Sequence, residues 1–204
     1  MSAGRRANSF SKDWCTPKKY VDAVKRMFDG EIDLDPCSNA DSVVGAKKEF
    51  RLPEQDGLRE PWTEARIYVN PPYGADRERG TTIRNWLKKI AQTYLAAPRE
   101  REILALIPVA TNTRHWKEYV FGVADAVCFL HDTRLKFIIG GNEDNKGAPM
   151  ACCMVYWGKK TSKFEEIFSS TGAVVLLENQ KKAPAGECSF PVRSDAELFQ
   201  TKFY

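Results

Sequence analysis

The sequence predicts an α/β domain of three layers, with helices on both faces of a mostly parallel sheet. Three observations predict it. Apolar stretches of strand length alternate with amphipathic stretches of helical period. Ile103 to Val109 is a continuous apolar run, as in a strand covered on both faces. The chain has 204 residues, 43% of them hydrophobic, enough for one domain with its own core.

Residues 1–13 are polar and read as a mobile basic arm. A helix follows, capped by Thr16 with Pro17 in its first turn; Tyr20, Val21, Val24, Met27 and Phe28 share a face, and Gly30 stops it. Glu31 to Asp35 reads as a short strand ended by Pro36. Ser42 to Phe50 fits either a strand or a short helix. Ile67-Tyr68-Val69 is a buried strand running into Asn70. Ile83, Trp86, Leu87, Ile90, Tyr94 and Leu95 mark a helix that Pro98 ends. Thr113 to Phe121 is expected as helix, and Val127–Leu130, Leu135–Ile139 and Ala151–Trp157 as strands. A helix over Lys163–Phe168 and a last strand over Ala173–Leu177 complete the set. The expected division is an arm at 1–13, a catalytic domain at 14–177 and a surface-wrapping or loose tail at 178–204.

No stretch approaches the roughly 18 apolar residues of a membrane span, and the N-terminus lacks a signal-peptide pattern. The expected location is a cytoplasm, with no membrane partner. Six cysteines form no CxxC pair and only two histidines are present, so no metal site is expected; the thiols read as buried groups in a reducing compartment. The net charge of +4 is uneven: residues 1–30 hold seven Lys/Arg against three Asp/Glu, and the remainder balances. Arg77, Arg79, Arg84, Lys88 and Lys89 form a second local excess. Basic patches on a nearly neutral body suit a polyanion, and an ordinary solvated surface accounts for them too.

Two segments at strand ends carry candidate chemistry, since parallel sheets bind ligands beyond the carboxyl ends of their strands. In Asn70-Pro71-Pro72-Tyr73 neither proline offers an N–H, and each holds its predecessor out of the α region. The chain stays extended, with carbonyls that no helix or sheet claims. The Asn70 side chain adds an acceptor, and Tyr73 a flat face. Two such acceptors, the Asn70 oxygen and the Pro71 carbonyl, suit an amine conjugated to an aromatic ring, such as that of adenine. Each takes one hydrogen, the nitrogen moves toward a tetrahedral state, and its lone pair is released for attack. A base in a duplex must be flipped out to reach such a pocket. The competing reading is a simple turn, which Asn-Pro also initiates. In Asp33-Leu34-Asp35-Pro36-Cys37-Ser38-Asn39, short side chains admit a cofactor close to the backbone, and Asp35 offers acceptors to an ammonium or ribose. An Asx turn built on Asp35 or Asn39 explains it equally.

The ordered set of segments resembles the phage-type DNA N6-adenine methyltransferases over about residues 14–157. It comprises Trp14-Cys15-Thr16-Pro17 opening a helix, Asp33-Leu34-Asp35-Pro36-Cys37 ending a strand, Asp56-Gly57-Leu58 with Trp62, and the Asn-Pro-Pro-Tyr element. Trp86 with its neighbouring lysine, Ile107-Pro108 and Arg134-Leu135-Lys136-Phe137 follow in order. The resemblance implies a Rossmann-like class I methyltransferase fold, reduced in size, and S-adenosylmethionine-dependent methyl transfer to adenine N6 in DNA within a bacterial host cell. It implies that Asn70, Pro71, Pro72 and Tyr73 form the base pocket. Trp14, Thr16, Pro17, Asp35 and Cys37 would border the cofactor, and Asp56 its adenine ring.

The sequence departs from the pattern twice. Cys37-Ser38-Asn39 replaces the usual glycine-rich cofactor loop, and the short span from Asp35 to Asn70 leaves the ribose-binding acid unassigned. No separate target-recognition domain is visible, so reading of DNA falls to loops 74–82, 110–115 and 140–149. Arg77, Arg79 and Arg114 are the candidate phosphate or guanine contacts, and each loop also reads as plain polar surface. Two other functions share the features: the same chemistry on RNA or on a protein glutamine, and a catalytically silent DNA-binding module.

Overall fold

The computed structural model, which describes residues 14–132, 134–143 and 147–177, builds seven strands into one sheet. They are β1 (Leu34–Ser38), β2 (Lys48–Arg51), β3 (Arg66–Val69), β4 (Glu102–Pro108), β5 (Ala126–Leu130), β8 (Cys152–Trp157) and β9 (Gly172–Leu176). A separate pair, β6 (Ile138–Ile139) and β7 (Asn142–Glu143), forms a small ribbon. The sheet order is β2-β1-β3-β4-β8-β5-β9. Strands β1 to β5 run one way, while β8 and β9 run against them. The expected arm at 1–13, the tail at 178–204, and residues 144–146 of the candidate loop 140–149 lie outside the described residues.

Helices cover both faces, as the doubly apolar β4 requires. On one face Leu104 and Leu106 meet α1 (Lys18–Met27) and α4 (Thr161–Phe168), through Tyr20, Val24 and Phe164 among others. On the other, Ile103, Ala105 and Ile107 meet α2 (Ile83–Ala96) through Trp86, Leu87 and Ile90. The connections at 39–47 and 52–65 contain no helix, so the layer over β1 and β2 is thin.

Several expected boundaries are corrected. The first strand does not stop at Pro36: β1 begins at Leu34 and runs through Pro36 to Ser38. Pro36 falls where the β1–β2 register shifts, between Asp35 and Ser38, and a bulge makes no demand on its missing N–H. Thr16 does not cap α1. Pro17 takes the capping position, and the Thr16 hydroxyl lies buried, 2.7 Å from the Tyr68 hydroxyl. The open choice at Ser42–Phe50 resolves as coil leading into β2. Leu95 falls on the solvent side of α2, not in its apolar stripe. The 113–121 segment is one α turn, α3 (Arg114–Trp116), continued as a wider π turn over Lys117–Phe121. Of Leu135–Ile139 only the last two residues pair as a strand, since Leu135 and Phe137 are drawn into the core instead.

Candidate active site

The parallel strands deliver their carboxyl ends to one edge of the sheet. The chain leaves β1 toward β2 on one side, and leaves β3 toward β4 on the other. Between β1 and β3 the winding therefore reverses, which opens a crevice at their C-terminal ends. Both segments singled out in the sequence stand at this crevice. The Cys37 thiol lies against the backbone N–H of Asn70, joining the end of one strand to the start of Asn-Pro-Pro-Tyr.

Asn70 follows β3 directly and is half-buried. Its Nδ2 donates to the Trp14 carbonyl at 2.8 Å, which fixes the side-chain orientation and leaves Oδ1 in the acceptor role. Trp14 is held in turn by the backbone pairing of Cys15 with Ile138, at 2.9 and 3.0 Å in the two directions. The segment at 14–16 is thus a strap across the site. Its Trp14 ring stacks on Phe137 at 4.7 Å, and Tyr73 meets both rings edge-on. Tyr73 is only 9% exposed, with its hydroxyl donating to the Leu106 carbonyl at 3.1 Å. Its ring belongs to an aromatic cluster beside Asn70 and is not an open platform.

A cleft of about 380 Å³ adjoins this cluster, within the ~300–1,000 Å³ usual for small-molecule sites. Pro36, Cys37 and Ser38 from β1 with Asn39 just after it, Phe50 from β2 with Leu52 just after it, and Pro72 and Trp86 wall it. Glu54, Gln55 and Arg79 add polar groups. Gly57 closes it: a Cβ there would stand 1.7 Å from the Pro36 carbonyl oxygen, so only glycine lets the 56–58 turn approach β1 this closely. Trp62 Nε1 donates to the Gly57 carbonyl at 2.8 Å and holds the turn.

Asp35 sits beneath this cleft, 3% exposed. Its Oδ1 accepts from the Cys37 N–H at 3.1 Å, so the Asx turn does form. Burial pushes its carboxyl up to about 7, and the Glu49 carboxylate adds to the effect. Cys37 is one of the cleft's walls, while Trp14, Thr16 and Pro17 are not among them: Trp14 adjoins Asn70, and Thr16 and Pro17 are buried behind it. Asp56 faces the neighbouring surface, its Oδ1 accepting from Leu58 N–H at 3.0 Å to order the turn that carries Gly57.

The three candidate DNA-contacting arginines separate. Arg77 is exposed on a loop that Asp76 and Thr81 close by mutual backbone bonds of 2.8 and 3.0 Å. Arg114 is exposed at the start of α3, beyond the end of β4, and pairs with Glu118. Its location places it one strand over from Asn70 on the same edge. Arg79 turns inward, 2.9 Å from Asp76 and 3.1 Å from Asp56. Committed to two carboxylates, it is poorly placed for an external phosphate.

Two groups at the site escape a reading of the sequence. Phe137 stands there only as part of an apolar run; its distance along the chain from Trp14 conceals a contact that forms through the Cys15–Ile138 pairing. Glu54 at the cleft follows β2 and stands about 20 residues beyond the first strand's acidic end, the spacing at which nucleotide folds place their ribose ligand. That spacing is a usable signal, hidden because β2 itself is ambiguous in the sequence. Among the described residues no cluster of His, Cys, Asp or Glu could hold a metal ion, and no helix is long and apolar enough to cross a membrane.

A search of curated proteins returns no match. The family model described as DNA N-6-adenine-methyltransferase (Dam) matches residues 5–183, which takes in every element of the sheet and both chemistry-bearing segments. The chain belongs to the DNA N-6-adenine-methyltransferase (Dam) family.

Proposed function

We propose that this chain transfers the methyl group of S-adenosylmethionine to adenine N6 in DNA at the β1/β3 crevice, within a Rossmann-like class I methyltransferase fold reduced in size. The observation that carries the mechanism is the Asn70 Nδ2 bond to the Trp14 carbonyl. It presents Oδ1, and not the amide nitrogen, to an incoming amine.

The cleft beside Asn70 fits the cofactor in kind. Phe50, Leu52, Pro72 and Trp86 offer apolar walls for an adenosine, and Ser38, Asn39, Glu54 and Gln55 offer hydrogen-bonding groups. Glu54 would take the ribose hydroxyls. Asp35, Cys37 and Asn39 would border the amino-acid part, with Asp35 ionising to meet its ammonium. Asp56 acts by ordering the Gly57 wall. Trp14, Thr16 and Pro17 form the strap that orients Asn70. When bound, S-adenosylmethionine supplies an electrophilic methyl group on a sulfonium.

The target amine donates one hydrogen to Asn70 Oδ1 and the other to the Pro71 carbonyl. The nitrogen lone pair, withdrawn from the ring, then points at the methyl group; positioning and fixed dipoles carry the reaction. The flipped base rests against Trp14, the half-buried member of the Trp14–Phe137–Tyr73 cluster beside Asn70. Arg77 and Arg114 attract phosphates from the rim, and Arg79 positions loop 74–82. Residues 14–177 make up the catalytic domain in this reading, with the basic segment at 1–13 strengthening attraction to DNA in a bacterial cytoplasm.

Asn70→Ala tests the proposal. Transfer of labelled methyl to DNA is expected to vanish while DNA affinity stays within a few-fold. Unchanged turnover removes Asn70 from the mechanism.

A further inference from the structure

A second depression, a trough of about 560 Å³, runs beside the cofactor cleft and shares Arg79 with it as a common wall. One side is a stripe on α2: Asn85, Lys88, Lys89, Gln92, Thr93 and Ala96. These positions recur at three- and four-residue spacing, and so line one flank of the helix for about 16 Å. Every one except Ala96 carries a hydrogen-bond donor. The opposite side is the 56–62 segment with Arg59, and Arg101 closes the far end.

The charge in this trough is one-sided. Its single carboxylate, Asp56, is met by Arg79 at 3.1 Å and by Arg59 at 3.7 Å; with Arg79 spent on Asp56 and Asp76, the surplus is carried by Lys88, Lys89 and Arg101, with Arg59 at the exposed rim. The helix itself contains no acidic residue, although an acidic first turn would stabilise it. Of its cations, Arg84 in the first turn faces Glu118 at 3.9 Å, while Lys88 and Lys89 one turn later lie on the trough with no acidic neighbour on their own helix. Lys89 is held in place by the Leu58 carbonyl at 2.9 Å and by the Glu60 carbonyl, so part of the donor array is fixed before any ligand arrives.

We infer that the trough is a binding track for the phosphate backbone of a single DNA strand leading away from the target adenine. The inference rests on the proposed reading of the crevice, because the shared Arg79 wall places the track beside the proposed cofactor cleft, which adjoins the Asn70 segment through Pro72. A row of donors about 16 Å long on one flank of α2 lets a single extended strand follow it, and the comparison of single strand with duplex below decides between the two. Duplex contacts remain on the rim with Arg77 and Arg114.

The test uses the full chain with Arg59 and Lys88 both changed to Glu, exposed positions that touch neither Asn70 nor the cofactor cleft. Anisotropy of labelled 20-nucleotide single strands and duplexes is followed across a salt series. Single-strand affinity is expected to fall at least tenfold. The slope of log affinity against log salt should shrink by about 1.4, or about 0.7 for each of two phosphates that the variant no longer neutralises. Duplex affinity and cofactor binding should stay within two-fold. The neutral pair Arg59→Gln and Lys88→Gln should give a smaller loss of the same kind, which separates charge from damage to the fold. Unchanged single-strand binding in the Glu variant, or an equal loss for single strand and duplex, overturns the track. Methyl transfer to duplex DNA is measured on the same samples: its retention in the variant leaves the active-site reading standing, whereas its absence in the parent chain sinks that reading on its own.

Discussion

Replacing Asp35 with asparagine should stabilise the fold above neutral pH and weaken cofactor binding. The side chain is 3% exposed and its carboxyl is pushed up to about 7, mainly by burial. A free aspartate titrates near ~3.9, about three powers of ten lower, at roughly 1.4 kcal/mol for each. Holding the carboxylate ionised inside the fold therefore costs on the order of 4 kcal/mol at most. The folded chain binds this proton more tightly than the unfolded one does. The contribution to stability is thus complete below about pH 4 and is lost as pH rises toward about 7. Asparagine keeps an oxygen for the Cys37 N–H and does not titrate. The gap in unfolding free energy between variant and parent should be small near pH 4.5, widen through pH 6, and level off above about 7. Urea unfolding at four pH values reads it directly. Calorimetry at pH 6 in buffers of different ionisation heat should also show a proton released on cofactor binding, as Asp35 takes up its charge opposite the ammonium. A stability gap that stays constant from pH 4.5 to 8 would refute the reasoning, because it would mean that Asp35 titrates alike in both states.

Gly57→Ala forces the 56–58 turn away from the Pro36 carbonyl, which the new Cβ would approach to 1.7 Å. A stability loss of about 1–3 kcal/mol is expected, with cofactor affinity down at least tenfold by calorimetry; an unchanged affinity would show that this turn does not wall the cofactor cleft. Tyr73→Phe removes only the hydroxyl that donates to the Leu106 carbonyl, so transfer should persist at a cost of about 0.5–1.5 kcal/mol in thermal or urea unfolding. Tyr73→Ala should cost about 3–5 kcal/mol through the vacated core space and lose base capture as well. Loss of transfer in the Phe variant at undiminished stability would assign the hydroxyl to the chemistry instead.

The legibility of the fold follows the periodicity of its elements. The helix over Ile83–Ala96 and the strands Glu102–Pro108 and Cys152–Trp157 are visible in the sequence because each buries a repeating pattern long enough to exclude the alternatives. Lys48–Arg51 is not, since four residues with a single buried phenylalanine carry no period. With it goes Glu54 at the cleft, the acid proposed to meet the ribose, whose place depends on where that strand ends. The run from Leu135 imitates a strand because its apolar residues serve a core cluster around Trp14 and Tyr73.

By itself the sequence determined the order of the long periodic elements, the extended exit from Ile67–Val69 that two consecutive prolines impose, and the presence of paired acceptors at Asn70 and Pro71. Local sterics and hydrophobic period set these, and neither needs a distant partner. Only the tertiary structure decided which way Asn70 points, that Asp35 loses its water, that Arg79 is consumed by Asp56 and Asp76, and that Trp14 meets Phe137. Each of these outcomes joins residues brought together across the crevice and its strap. Such contacts depend on strand order and burial, which side-chain identity along the chain does not encode locally.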